Sequence, residues 1–342
     1  MTTPFSDLAP YHFHSRTVRG VHRSRFDPIV KTRFVIEEDA KIMTMGSCFA
    51  QHVSKWLLDN GYKILLREQE SHSGGGMFSA NYGNVYTVAQ ALQLFDRVFG
   101  NWSPNDELYE KAGCYFDPLR PSVKPDGWTS SSAALKDRYD HEEVVKDLFL
   151  EANVIVFTLG LTEAFIRTDD GAVLPTAPGV IAGDYDELRY KFKNFSYDEV
   201  LEDLRLLINR LIEVNSGIRI VLTVSPVPLA ATYEERHVSV SSMASKAKLR
   251  AVVEEVLAEF GNVDYFPSFE IFMTPGLGGS YFESDARSVM PVGVSHAMRL
   301  FEKHFTRRSY QAKRDLVDQY SRRLLALYEN VVCDEEKLDE QL

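Results

Sequence analysis

The chain has 342 residues, 44% of them hydrophobic and 25% charged, ordinary globular values that allow one large α/β domain or two smaller ones. A formal net charge of −11 offers no broad basic surface to phosphates, which argues against a general nucleic-acid or anionic-membrane binder. Three scattered cysteines (Cys48, Cys114, Cys333) form neither a disulfide framework nor a zinc site. Neither a signal-peptide core nor an apolar run of about 18 residues occurs, so a soluble cytoplasmic protein is expected.

Residues 1–32 are polar and without a period, with a local basic cluster of Arg16, Arg19, His22, Arg23 and Arg25, and are expected to wrap over the surface. Ile42, Met43 and Met45 then form a short apolar strand that stops at Gly46, Ser47 and Cys48. Phe49, Val53, Trp56 and Leu57 recur at helical spacing directly after it. A glycine, a hydroxyl and a thiol therefore sit on a strand-to-helix turn. Open α/β sheets bind ligands at such turns, and a helix N-terminus favours an oxyanion or a thiolate. The alternative is a tight turn of small residues that merely fit. Tyr62–Leu66 reads as the second strand, after the helix-ending Gly61.

From Glu68 to Asn84 the chain is loop, with glycines at 74–76; lacking the Lys-Ser/Thr ending of a P-loop, it is not a nucleotide site. A helix from about Tyr86 to Phe99 follows. Gly83 and Asn84 sit at its entrance, as oxyanion donors or, for Asn84, as a helix cap. Asn101–Ser132 is a long connection in which Trp102 and Trp128 are either stacking surfaces for a substrate or buried anchors. Arg120 there holds either an acidic substrate group or a structural ion pair. A helix from about Ser132 to Glu151 leads to Asn153–Gly160, apolar throughout like a parallel strand covered on both faces. Ala164–Tyr197 reads as irregular. A helix from about Ser196 to Val214, the strand Arg219–Val224, a helix from about Ser241 to Phe260 and the short strand Asn262–Phe266 complete an alternation that indicates a parallel sheet with helices on both faces. His237 lies in the loop that leaves the carboxyl end of the Arg219–Val224 strand. Residues from about Ser309 to Tyr328 read as a polar-faced helix before an acidic tail.

Gly46-Ser47-Cys48-Phe49-Ala50 is the motif that names the GSCFA family, and the chain from about Arg33 to about Phe305 resembles that family. Through it the chain is distantly similar to the SGNH (GDS-type) esterases and acyltransferases. The resemblance implies a three-layer α/β/α fold, a doubly wound parallel sheet of flavodoxin-like order with long loop insertions. One such domain is expected over 33–308, between an N-terminal extension (1–32) and a C-terminal helix and acidic tail (309–342).

On the Gly-Asp-Ser pattern of those enzymes, Gly46 matches Gly, Ser47 falls on Asp and Cys48 on the nucleophilic Ser; a one-residue shift makes Ser47 the nucleophile. The strand ending Gly160-Leu-Thr-Glu163 stands where the esterases carry Gly-x-Asn-Asp, so Thr162 takes the place of the oxyanion-hole Asn. Glu163 brings a charge better suited to orienting a neighbour or capping a turn. Their Asp-x-x-His becomes Asp285-Ala-Arg-Ser288, and serine is no base near neutral pH. His237 and His296 are therefore rival bases, with Asp285 as the orienting carboxylate and Gly83–Asn84 and Thr162 holding the oxyanion. The function implied is acyl-ester hydrolysis or acyl transfer on a small molecule or O-acylated glycan. It needs no metal and no dissociable cofactor, but a transferase needs an acyl donor. A binding or scaffold protein that keeps the fold without the reaction is the alternative. A redox role for Cys48 is less favoured, since no second cysteine lies nearby in sequence.

Overall fold

The computed structural model describes residues 3–68, 76–105, 107–307 and 333–335. The expected C-terminal helix and the glycines at 74 and 75 lie outside the described residues. In chain order the first elements are α1 (His14–Thr17), β1 (Ile42–Gly46), α2 (Phe49–Asp59), α3 (Val88–Val98), β2 (Tyr109–Lys111), β3 (Cys114–Phe116) and α4 (Ser131–Glu151). They are followed by β4 (Val154–Leu159), β5 (Glu163–Arg167), β6 (Val173–Leu174), β7 (Tyr190–Asn194) and α5 (Tyr197–Val214). The last are β8 (Arg219–Val224), α6 (Val238–Glu259), β9 (Val263–Tyr265), α7 (Ser268–Met273) and α8 (Pro291–Phe305).

Every residue of β1 and β4 is buried, and they join β8 and β9 in a parallel sheet of order β1-β4-β8-β9. On the other edge of β1, Ile42 N donates to Lys63 O (2.9 Å) and Leu65 N donates to Ile42 O (2.7 Å). The Tyr62–Leu66 segment is thus a single parallel bridge rather than a full strand. Further along β1 the edge is taken by Ser79, whose hydroxyl and N–H bond Thr44 N and Thr44 O. With that segment counted, the sheet runs 2-1-3-4-5 in order of appearance, the expected flavodoxin-like order.

Side chains alternate across the sheet with a period of two. Met43, Met45, Ile155, Phe157, Ile220 and Leu222 pack beneath α3, α4, α5 and α6. Ile42, Val154, Val156 and Val221 pack against α2, α7 and α8. Two apolar layers, one on each face, make the three-layer α/β/α architecture. Each fully buried Leu, Val or Phe contributes roughly 1.5–3 kcal/mol against its ordering entropy.

Three local readings change. Glu163–Asn194 is a three-stranded antiparallel sheet of order β6-β5-β7, not irregular chain. Its strands are short and mixed in polarity, broken by Asp169-Asp170-Gly171, so no period stands out. α3 is capped by Thr87 in a reciprocal box with Gln90, which frees Asn84 from a capping role. The long connection after α3 contains the β2–β3 hairpin, turned by Ala112 and Gly113 at φ 53° and 77°. Trp128 is buried and exchanges backbone bonds with Tyr115, while Trp102 Nε1 donates to Asp170 O (3.1 Å). Both tryptophans are anchors. Arg23, from the N-terminal basic cluster, is also structural: it is buried and donates to the carbonyls of Ile271, Phe272, Thr274 and Gly279.

Arg120 belongs to a buried ion network. Asp117, fully buried, accepts from Arg120 (3.2 Å) and Arg138 (2.8 Å), and Arg120 also reaches Asp137 (2.7 Å). Burial alone would raise the Asp117 pKa, but Arg138, Arg120 and Arg97 together hold it well below the usual range. Asp117→Ala leaves two guanidiniums buried without their shared partner and is expected to cost roughly 3–5 kcal/mol in urea unfolding. Because the folded-state pKa is depressed, this stabilisation is present above the unfolded value of 3.8 and is lost as pH falls through the folded one. An acid-unfolding curve unchanged in the variant would refute the assignment.

Candidate active site

Glycine at 46 is a geometric requirement. Its φ is +131°, and a Cβ there would lie 2.3 Å from the Thr158 carbonyl oxygen. Gly160, just beyond β4, meets the same turn from the other side: a Cβ on it would come within 2.9 Å of Ser47 Cβ and 3.0 Å of Tyr86 O. The two glycines let the carboxyl ends of β1 and β4 close on each other, with Ser47 N donating to Thr158 O (3.0 Å). Gly46→Ala is expected to destabilise by roughly 1–3 kcal/mol or more through strain and clash. A denaturation midpoint equal to wild type would contradict this geometry.

Cys48 is the N-cap of α2, and Ser47 and Cys48 are both buried. Their surroundings differ. Ser47 Oγ has no hydrogen-bond partner among the described residues. The Cys48 thiol is hydrogen-bonded to Cys333, from the far end of the chain. Arg287 Nη2 donates to Cys333 Sγ (3.3 Å) and to Glu335 Oε2 (3.0 Å). Asn84 Nδ2 donates to Asp334 Oδ2 (2.9 Å), and Tyr86 OH lies 4.0 Å from Cys333 Sγ. Lys246 Nζ, from α6, donates to Gly160 O (2.8 Å). Cys333, Asp334 and Glu335 are all buried in this nest, at the carboxyl ends of the central strands.

The hydrogen bond with Cys333, then burial, then the charges of Cys333 and Glu335 push the Cys48 thiol up, with Arg287 opposing. Cys333 moves the other way, lowered by its bond from Cys48 and by Arg287 against the effect of burial. Of the two sulfurs Cys333, beside the guanidinium, is therefore the more readily ionised, and Cys48 is the donor. Burial lowers Lys246 from 10.5 to about 8, against Glu335 and Cys48, which favour its charge. A buried lysine near neutrality is a candidate general base.

The histidines are engaged elsewhere. His237 is exposed and caps α6, its Nδ1 accepting from Ser239 N (3.2 Å). His296 is buried on α8 with Nδ1 2.8 Å from Tyr281 OH, and burial and then Arg299 lower it to about 4. Neither ring has a hydrogen bond to Ser47 or Cys48 among the described residues. Asp285 is exposed and spends its carboxylate on Arg287 N, Ser288 N and the Ser288 hydroxyl. That loop does reach the cluster, but it presents Arg287 rather than a histidine. Thr162 donates its hydroxyl to Asn194 Oδ1 (2.8 Å) and its N–H to Ser245 Oγ (3.0 Å), pinning β4 to β7 and α6. Glu163 accepts from the Thr232 hydroxyl at 3.0 and 2.9 Å and so fastens the loop after β8. Gly83 has φ 70° and places Asn84 beside Gln51 and Asp334.

Lys246 and Arg287 were the residues sequence reasoning passed over. Lys246 did carry a signal: Ser242, Lys246, Leu249, Val253 and Val256 recur at helical spacing, and all are buried, so a lysine stands in an inward stripe. Cys333–Glu335 carried none, being an ordinary acidic stretch of the tail.

Among the described residues, no helix is long and apolar enough to cross a membrane, and no three His, Cys, Asp or Glu side chains are placed to hold a metal. The chain is similar to solved structures of Axe2, an acetyl-xylooligosaccharide esterase of Geobacillus stearothermophilus. Two variants match at 13% and 12% identity, each with a TM-score of 0.32 and covering 80% of this chain and 99% of the esterase. A catalytic variant of that acetylxylan esterase matches at 13% identity and a TM-score of 0.31, with the same coverage. No curated protein matches the sequence. The model of the GSCFA family matches residues 41–301, most of the chain, and the protein belongs to the GSCFA family.

Proposed function

We propose that the protein is an acyl-ester hydrolase or acyltransferase in which Cys48 attacks the acyl carbonyl and Lys246 is the base. One observation carries this reading: the thiol at the strand-to-helix turn sits in a buried cluster of ionisable groups that packing alone does not call for. Such groups are costly to bury and concentrate where chemistry or binding uses them. Cys48 is preferred to Ser47 because Arg287 favours its thiolate and because Cys48 in turn acts on the charge of Lys246.

In the proposed step the substrate takes the place of Cys333–Glu335. Neutral Lys246 accepts the Cys48 proton as the C–S bond forms. The N–H groups of Cys48 and Phe49 at the start of α2, with the Asn84 amide, hold the oxyanion. The Asp334 carboxylate on Asn84 stands in for that acyl oxygen. The ester C–O bond then breaks, and the leaving alkoxide takes the proton from Lys246. Water or an acceptor hydroxyl attacks the thioester and frees Cys48. The substrate class is an O-acylated small molecule or glycan, and an acyltransferase would draw on an acyl donor.

The test is hydrolysis of p-nitrophenyl acetate by wild type, Cys48→Ala, Lys246→Met and His237→Ala. Loss in the first two variants and retention in the third support the reading. Absence of turnover in wild type favours the second reading, a binding protein, for which Ser288 in the histidine's place and the seated Cys333–Glu335 segment speak.

A further inference from the structure

Beside the nucleophile turn lies a cavity of about 250 Å³ that the acyl-transfer step leaves unused. Its walls come from β5, β6, β7 and the loop after β8, the antiparallel sheet that the sequence pattern hides. Leu161, Phe165, Leu174, Val180, Phe192 and Leu229 supply an apolar surface. Phe165 makes edge contacts with Tyr185, Phe192 and Tyr233 at centroid distances of 5.7, 5.8 and 5.4 Å, which sets one wall as a packed aromatic cluster. The one acidic side chain among β5–β7 that lines the cavity, Glu163, shares the Thr232 hydroxyl proton between its two carboxylate oxygens.

The cavity adjoins the reacting atoms. Leu161 follows Gly160, where an added Cβ would lie 2.9 Å from Ser47 Cβ, and Leu161 and Leu229 cluster with Tyr86. Asp334 and Glu335 line the cavity and at the same time bond Asn84 and Arg287. The space thus opens on the residues that occupy the proposed substrate position.

We propose that this cavity receives the acyl chain of the substrate, an apolar or aryl acyl group of about six to ten carbons rather than acetyl; the inference rests on the acyl-transfer reading. A cavity of about 150 Å³ lined by apolar side chains accepts benzene, so this larger one has room for a ring with a short chain or for a medium alkyl chain. A sugar ring is a poorer match: Thr176, Tyr185, Thr232, Tyr233 and the carboxylates of Glu163, Asp334 and Glu335 also line the cavity, but most of its wall is apolar and offers a ring's hydroxyls no partner. The alcohol portion of the ester would instead face the Arg287 and Asn84 side.

The experiment compares p-nitrophenyl acetate, butyrate and octanoate with wild type and with Ala177→Trp, a substitution at a half-buried wall position that narrows the cavity. It is paired with calorimetric titration of octanoate into both proteins. Wild type is expected to prefer octanoate to acetate by at least tenfold in kcat/KM. Ala177→Trp is expected to lose at least tenfold on octanoate while staying within twofold on acetate, and to lose octanoate binding. Equal hydrolysis of acetate and octanoate, unaffected by Ala177→Trp, would overturn the chain site and leave the esterase reading standing. Octanoate bound by wild type and lost in Ala177→Trp, with no ester hydrolysed, would uphold the ligand class and sink the reaction. Neither hydrolysis nor binding would overturn both.

Discussion

Cys48→Ala is expected to lower kcat/KM for ester hydrolysis by about 10⁴-fold or more, the scale seen when an enzyme loses its nucleophile. Ser47→Ala should stay within about threefold, because its hydroxyl has no hydrogen-bond partner among the described residues and packs against Gly160. The pH profile separates the base from the nucleophile. Lys246 accepts a proton only when neutral, so the rate should rise with pH through about 8, the value to which burial lowers it. Below that pH the ammonium is already protonated and the rate falls. Lys246→Met should cost roughly 10²–10⁴-fold and remove this limb of the profile. A rising limb that persists in Lys246→Met and vanishes in His237→Ala would reverse the assignment of the base. Loss of activity in Ser47→Ala with retention in Cys48→Ala would move the nucleophile by one residue.

The sheet was legible because its strands announce themselves. Val154–Leu159 and Arg219–Val224 are apolar runs of strand length, and in a parallel sheet covered on both faces such runs have little else to become. The helices with a clear stripe, such as Tyr197–Val214 with Leu201, Leu204, Leu207, Ile208 and Leu211 inward, were equally plain. The antiparallel sheet of β5, β6 and β7 was not, since a two-residue strand and a Glu-to-Arg strand carry no period. The site divides along the same line. The Gly46–Cys48 turn is local, written in consecutive residues, and the family motif points straight at it. Its partners are contributed by distant segments: Lys246 by a helix whose stripe conceals it, Arg287 by a loop, and Cys333–Glu335 by the tail. Cys48 and Cys333 meet only because the chain folds back, a contact that sequence proximity cannot disclose.

Cys333→Ala is expected to lower the pH midpoint for alkylation of Cys48 by at least one unit, and so to speed alkylation near neutral pH about tenfold or more for each unit. The largest influence raising the Cys48 thiol is its hydrogen bond to Cys333, and the charge of Cys333 adds to it. With alanine there, both are gone, while Arg287 and the start of α2 still favour a thiolate. Glu335→Gln removes a further raising charge and should move the midpoint the same way by less. Iodoacetamide labelling across pH 6–10, with the Cys48 peptide read by mass spectrometry, distinguishes this thiol from Cys114 and Cys333. Steric opening would change the rate at every pH alike; the electrostatic effect shifts the midpoint, so the curve rather than its height decides. An unmoved midpoint in Cys333→Ala would mean that the proton of the pair does not sit on Cys48, and that the cations already hold Cys48 as the thiolate with the tail in place.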